Sequence, residues 1–324
     1  MESPDPFDVI TMGRVGIDLY PLQSGVGLED VRTFGKFLGG SATNVAIAAA
    51  RHGLRAAVIT RTGEDPFGRF VHRTLGELGV DDRYVTAVAG LPTPVTFCEL
   101  FPPDSFPLYF YRQPKAPDLA IDASELDLGA IAEARVFWAT VTGLSEEPSR
   151  HAHYAAWTAR GRRPLSVLDL DYRPVFWSSR EAARAEMQRA LPYVTVAIGN
   201  LDECETAVSE RDAYRAASAL IDMGVELAVV KEGPNGVLAA TRDERVQVGP
   251  LPVHVVNGLG AGDGFGGALC YGLLAGWPLH QAVRFANAAG AIVASRLECS
   301  TAMPTTDEVE AMLRQSVQPE GKGG

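Results

Sequence analysis

The stretch Ala56-Ala-Val-Ile-Thr60-Arg-Thr-Gly63-Glu-Asp65-Pro66-Phe67-Gly-Arg-Phe70-Val71-His-Arg-Thr-Leu75-Gly-Glu-Leu78-Gly79 decides the fold class. Its first five residues form a short apolar run. From Pro66 onward, Phe67, Phe70, Val71, Leu75 and Leu78 fall on one helical face until Gly79 stops the helix. The same strand-then-helix unit recurs. Val9 to Met12, Val136 to Ala139, Leu165 to Leu168, Val194 to Ile198 and Leu227 to Val230 read as further strands. Ser149 to Arg160, Arg180 to Leu191 and Asp212 to Met223 read as the helices between them. Such alternation predicts an α/β fold, a doubly wound and mostly parallel sheet with helices on both faces. Gly262 to Ala275 and Leu279 to Ser295 read as buried helices, and Thr305 to Glu308 as the capping box of a last one.

Two stretches break the rhythm. Residues 15–38 and 92–118 are rich in Gly, Pro and short alternating runs such as Leu108 to Arg112, which predicts a small separate β-sheet, a lid assembled from two distant insertions. The rest is expected to be one domain over residues 1–324, with Gln318 to Gly324 a frayed tail.

With 29 Lys and Arg against 40 Asp and Glu, the formal charge of −11 argues against nucleic-acid or anionic-membrane partners, which need a basic surface. It does not exclude a small anionic ligand. No apolar run is long enough to span a bilayer, and MESPDPFD has no signal-peptide pattern, so a cytoplasmic location is expected. Cys98, Cys204, Cys270 and Cys299 have neither disulfide-framework nor zinc spacing and read as reduced core thiols.

The strongest chemical signal is Val256-Asn257-Gly258-Leu259-Gly260-Ala261-Gly262-Asp263-Gly-Phe-Gly-Gly, a glycine-rich turn running into an apolar helix. Backbone N–H groups and the helix N-terminus together can hold a phosphoryl group or a developing negative charge. Asp263, in the first turn, can accept the proton of a hydroxyl attacking phosphorus. By spacing alone it can equally be a capping Asp. No Gly-Lys-Ser/Thr follows, so the turn is not a Walker motif.

Gly260-Ala261-Gly262-Asp263 and Gly39-Gly40-Ser41-Ala42-Thr43-Asn44-Val45-Ala46 resemble the two signatures of the ribokinase-like (PfkB) carbohydrate kinases, in the expected order. Gly63-Glu-Asp-Pro-Phe-Gly68, Asn200-Leu-Asp-Glu203 and Lys231-Glu-Gly233-Pro-Asn-Gly236 resemble further blocks, so the likeness covers about residues 7 to 316. It implies a ribokinase-like fold, ATP and Mg²⁺. It also implies an anion hole at Gly260, Ala261 and Gly262, with Asp263 as catalytic base.

Further roles follow from the resemblance, each with a plainer alternative. Asp18, Gly39, Gly40 and Asn44 would hold the sugar, although Asp18 alone reads as a turn residue, and Ser41 and Asn44 as helix caps. Leu108-Tyr-Phe-Tyr111-Arg112 is similar to the segment in which 2-keto-3-deoxygluconate kinases meet an acidic sugar, which places Tyr111 and Arg112 at the substrate. An exposed Arg on an edge strand is the alternative. Arg173 would reach the transferring phosphate, or pair with Asp171 or Asp169. Asn200 and Glu203 would hold Mg²⁺ through water, or simply cap a helix. Lys231, Gly233, Gly236 and Asn287 would line the nucleotide, although Lys231 also reads as a surface residue ending a strand.

Asp171-Tyr-Arg-Pro174 followed by Trp177, the opening Asp8-Val-Ile-Thr-Met-Gly-Arg14 and the closing Cys299-Ser-Thr-Ala-Met-Pro304 are similar to the 5-dehydro-2-deoxygluconate kinases of inositol catabolism. The implied activity is phosphorylation of the terminal primary hydroxyl of a sugar acid. A 2-keto-3-deoxygluconate kinase, or an inactive sugar-binding or regulatory member, stands as the alternative. Asn257 replaces an Asp that in many members helps to coordinate a monovalent cation, which puts potassium activation in question. Lids in this family often pair, implying a homodimer.

Overall fold

The structure, a computed structural model, describes residues 6–317; the expected tail at 318–324 lies outside them. The central sheet runs in the spatial order Arg245–Val248, Val237–Ala240, Leu227–Lys231, Val196–Asn200, Ser166–Asp169, Val136–Thr140, Val9–Met12, Ala56–Gly63 and Val80–Asp81, with Val85–Val88 pairing off this path to Ala56–Gly63. Every pairing is parallel except those that join Val237–Ala240 to its two neighbours. Sequence reading did not anticipate Val80–Asp81, Val85–Val88, Val237–Ala240 or Arg245–Val248. They are two to four residues long, too short to show a period, and Val237–Ala240, although apolar and buried, is an antiparallel strand outside the strand-then-helix rhythm.

Parallel strands covered on both faces read as continuous apolar runs, and Val9–Met12 and Ala56–Gly63 are buried throughout. Alternate side chains feed two cores. Val9, Val58, Trp138 and Val167 pack on one face with the helices Ser41–Arg51, Pro66–Glu77, Ala261–Leu274 and Leu279–Ala294. Ile10, Ile59, Phe137 and Leu168 pack on the other with Ser149–Arg160, Arg180–Ala190, Leu201–Val208 and Ala213–Asp222. Asp65 caps Pro66–Glu77 by accepting from Gly68 N. Thr305 and Glu308 form the expected box before Thr306–Val317.

A second, four-stranded sheet runs Phe34–Gly39, Gly16–Pro21, Val95–Cys98, Leu108–Tyr111. Its outer pairs are antiparallel and its middle pair is parallel. Both rhythm-breaking insertions supply its strands. The chain leaves Val9–Met12 for Ala56–Gly63 on one side and later returns to Val136–Thr140 on the other, so the strand order switches at Val9–Met12. In open α/β sheets, ligands bind beyond the carboxyl ends of strands at such a point.

Candidate active site

The carboxyl ends of four central strands, with the loops that leave them, converge there. Arg14 follows Val9–Met12, Asp171 and Arg173 follow Ser166–Asp169, Asn200 ends Val196–Asn200, and Lys231 ends Leu227–Lys231. The glycine-rich turn before Ala261–Leu274 completes the group.

Asp263 lies in the first turn of that helix, and its Oδ2 accepts a 2.8 Å hydrogen bond from Asn44 Nδ2. Withdrawal from water pushes its carboxyl up to about 6, with Asn44, Arg14 and Lys231 opposing the rise and Asp171 adding to it. Gly260 caps the helix at φ 80°, a left-handed conformation that favours glycine, and a Cβ there would run into Cys299 Sγ. The N–H groups of Ala261 and Gly262, in the first turn, have no intrahelical acceptor. Lys231 Nζ lies 3.0 Å from where a Cβ of Gly262 would stand, so an ammonium faces the same turn. A carboxylate near neutrality, free amides and a cation therefore meet at one point.

On the four-stranded sheet, Asp18 is buried and Tyr20 Oη donates to its Oδ2 at 2.8 Å. Burial pushes Asp18 up to about 6, against the lowering effects of Tyr20 and Arg14. Gly39, paired with Gly16 across the strands, is needed for space, because a Cβ there would overlap the Asp18 carboxylate. Replacing Gly39 by Ala is expected to displace Asp18, raising the sugar KM about tenfold or more while the ATP KM stays fixed. Initial-rate kinetics in both substrates check this. Asn44 Oδ1 is buried without a partner and is available to a hydroxyl. Neither Ser41 nor Asn44 caps its helix, whose cap is Gly40.

Ser41 Oγ instead donates to Asp171 at 2.6 Å. Arg173 Nη2 reaches the same carboxylate at 2.8 Å and Arg14 Nη2 at 3.3 Å. Burial would raise Asp171, but these partners outweigh it and hold the carboxyl below its usual range. Arg173 thus makes the ion pair foreseen as its plainer role, yet its Nε is buried with no partner and remains a donor for a ligand. Asp169, nearby, is pushed up to about 7 by burial, with Lys231 opposing.

Asn200 and Glu203 form a complete capping box, each side chain accepting the other's backbone N–H, at 2.9 and 2.7 Å. They line an open cavity of about 370 Å³ with Tyr172, Arg173, Pro174, Arg180 and Asp202. Among the described residues no cluster of three His, Cys, Asp or Glu is placed to hold a metal directly. Glu203 Oε1, outside the box, and the second lone pair of Asn200 Oδ1 suit an ion that keeps its waters, as Mg²⁺ does. Gly236 and Asn287 both abut residues 248–249, Asn287 Nδ2 donating to Gly249 O at 2.9 Å, and Gly233 sits in open space.

Tyr111 is not brought to the site. Strand alternation turns Phe110 inward, onto Phe176 with 4.9 Å between ring centroids, and leaves Tyr111 66% exposed on the outer face against Phe97. Arg112 lies over the Phe176 ring, but its Nη2 is taken by the buried Asp118 at 2.8 Å.

The family model described as pfkB family carbohydrate kinase matches residues 7–306. The chain belongs to that family. A 5-dehydro-2-deoxygluconokinase of Geobacillus thermodenitrificans is 34% identical over 97% of this chain and 95% of its own. One of Listeria monocytogenes is 32% identical over 97% and 98%. A fructokinase of Vibrio cholerae, solved with fructose, ADP and calcium, superposes with TM-score 0.82 at 26% identity, over 95% of this chain and 100% of that one. A putative ribokinase II of E. coli gives 0.86 at 22%, over 95% and 99%, and so supports the ribokinase-like fold.

In this carbohydrate kinase, sequence reading missed Arg14, Tyr20 and Cys299 as site residues. Arg14 carried a weak signal, standing just past a strand's carboxyl end in the loop that leads to Asp18. Cys299 stood in the closing motif and Tyr20 in the first insertion, but nothing signalled that their Sγ and Oη lie 2.7 Å apart.

Proposed function

We propose that the chain transfers the γ-phosphoryl group of ATP to the terminal primary hydroxyl of 5-dehydro-2-deoxy-D-gluconate, giving the 6-phosphate. The observation that carries the chemistry is Asp263, oriented by Asn44, beside first-turn amides and Lys231. The names of the relatives carry the substrate. Asp263 accepts the hydroxyl proton as oxygen attacks phosphorus, and the Gly260 to Gly262 turn meets the negative charge that develops. Arg173, through its free Nε, and Lys231 hold the phosphates. Asp18 and Asn44 align the sugar, while Gly233, Gly236 and Asn287 border the nucleotide. Mg²⁺, held through water by Asn200 and Glu203, would supply charge neutralisation at the phosphates. The four-stranded sheet acts as a lid over the sugar.

Coupled ADP release with a panel of sugar acids and neutral sugars tests the reading. Preference for 2-keto-3-deoxygluconate would transfer the assignment to that acid, and no turnover with any would favour a binding protein. Because Asp263 and Asp18 are both pushed up to about 6 and both act as carboxylates, kcat/KM is expected to fall below a pH of about 6. A pH–rate profile with a flat acid limb down to pH ~5 would contradict this.

Asn257 is buried, its Nδ2 donating to Leu297 O at 2.7 Å and its Oδ1 accepting from Leu259 N at 3.0 Å. An amide donor already satisfies that carbonyl, so exchanging tetramethylammonium for potassium is expected to leave kcat unchanged. The outer lid face carries Leu22, Phe34, Tyr109 and Tyr111 exposed, which supports a homodimer formed through it. Light scattering would show a mass near twice that of the chain. The four buried free cysteines suit a reducing compartment, the cytoplasm.

A further inference from the structure

An acidic sugar must bring its carboxylate into a pocket already ringed by Asp18, Asp171 and Asp263. It therefore needs a cation that is both within reach and not fully matched. Two arginines outside the phosphoryl end approach the pocket, and each lies over one ring of the Phe110–Phe176 pair. Arg112 stands 4.8 Å above Phe176, and Arg14 stands 5.8 Å above Phe110.

Their ion pairs differ. Arg112 and Asp118 are 2.8 Å apart, with side chains 9% and 2% exposed, a one-to-one pair in which Asp118 Oδ1 has no other partner. Separating it would leave a buried carboxylate without its counter-ion, which is costly. Arg14 is held loosely, with every contact to Asp171 between 3.3 and 3.5 Å. Asp171 also serves Arg173 at 2.8 Å and Ser41 at 2.6 Å, so one carboxylate answers two guanidiniums, and Arg14 has the weaker share.

Arg14 also faces the sugar site. Its charge opposes the rise of both Asp18 and Asp263, and Asp171, which it contacts, also accepts from Ser41 on the helix that carries Asn44. Its backbone is fixed, because its carbonyl accepts from Thr43 Oγ1 at 3.2 Å and Gly40 packs against it.

We propose that Arg14 is the specificity-determining residue that receives the substrate's carboxylate, and that Arg112 is a structural tie between the lid and Asp118. The assignment rests on the sugar-acid reading above. A planar guanidinium can keep one edge on Asp171 and offer its remaining N–H groups to a second carboxylate, which an ammonium does less well.

The test compares kcat/KM for 5-dehydro-2-deoxygluconate and for a neutral hexose, fructose, in the wild type, Arg14→Gln, Arg14→Lys and Arg112→Gln. Thermal melting is recorded for each. In Arg14→Gln the acid-to-hexose ratio is expected to fall about 10- to 100-fold through the KM for the acid, with the ATP KM unchanged. Should Arg14→Gln fail to fold, Arg14→Lys keeps a charge beside Asp171 and is still expected to lower the ratio. An unchanged ratio in both Arg14 variants, or a collapse confined to Arg112→Gln, overturns the assignment alone. A wild type that phosphorylates fructose but no sugar acid overturns both the assignment and the substrate reading.

Discussion

Asp263→Asn is expected to lower kcat by about 10²- to 10⁴-fold, the range lost when a general base is removed, with the ATP KM nearly unchanged. The amide keeps the shape of the carboxylate, and its oxygen can still accept from Asn44 Nδ2, so the helix start and the Gly260 to Gly262 amides should stay in place. Only the proton acceptor is lost.

The same variant is expected to melt higher. The carboxyl is pushed up to about 6 in the fold from an ordinary 3.8, so its charged form is disfavoured there. A group raised in this way contributes stability at low pH that is lost as pH rises through about 6. At pH 8 the charge opposes folding, and removing it should add about 1–2 kcal/mol, allowing for partial access to water. Coupled assays and thermal melting at pH 8 check both halves. Retention of more than about a tenth of kcat would remove Asp263 from its role as base. A lower melting point would show that Asn44, Arg14 and Lys231 compensate for the charge.

Asp171→Ala should produce the second large effect, a loss of about 3 kcal/mol of stability together with most of the turnover. Breaking a buried pair leaves its partners uncompensated, and here two guanidiniums and the Ser41 hydroxyl lose one common acceptor. Arg173 is 35% exposed and recovers some hydration, which keeps the figure at the lower end. Turnover falls because Arg14 and Arg173 no longer share a fixed anchor. Asp171→Asn keeps an oxygen for Ser41 and should cost nearer 1 kcal/mol. Denaturant titration of the two variants beside the wild type decides it. Equal stability of Asp171→Ala and wild type would show that the carboxylate is not the anchor.

Some of the site could be read locally. The Gly260 to Asp263 turn declares itself because glycines, a helix start and a carboxylate within its first turn are all short-range features. The Asn200/Glu203 spacing could be read as well, and the capping box foreseen as its plainer use is present, with only Glu203 Oε1 outside it. Leu108 to Arg112 could be read for alternation. Which face turned inward could not, and Phe110 rather than Tyr111 took that place because the sheet packs over Phe176. Arg112 is buried over Phe176 and not exposed on an edge strand, and its partner Asp118 was not foreseen.

The sequence alone determined the doubly wound sheet, its two insertions and the glycine-rich turn before Ala261–Leu274, because apolar period, glycine placement and helix capping act over a few residues. Tertiary structure alone decided which charges meet. Asn44 and Asp263 are 219 positions apart, Arg14 and Asp171 157, and Tyr20 and Cys299 279. Nothing in local periodicity encodes such pairs. They arise because parallel strands deliver their loops to one edge of the sheet, where burial then sets which carboxyls rise and which guanidiniums are left to bind.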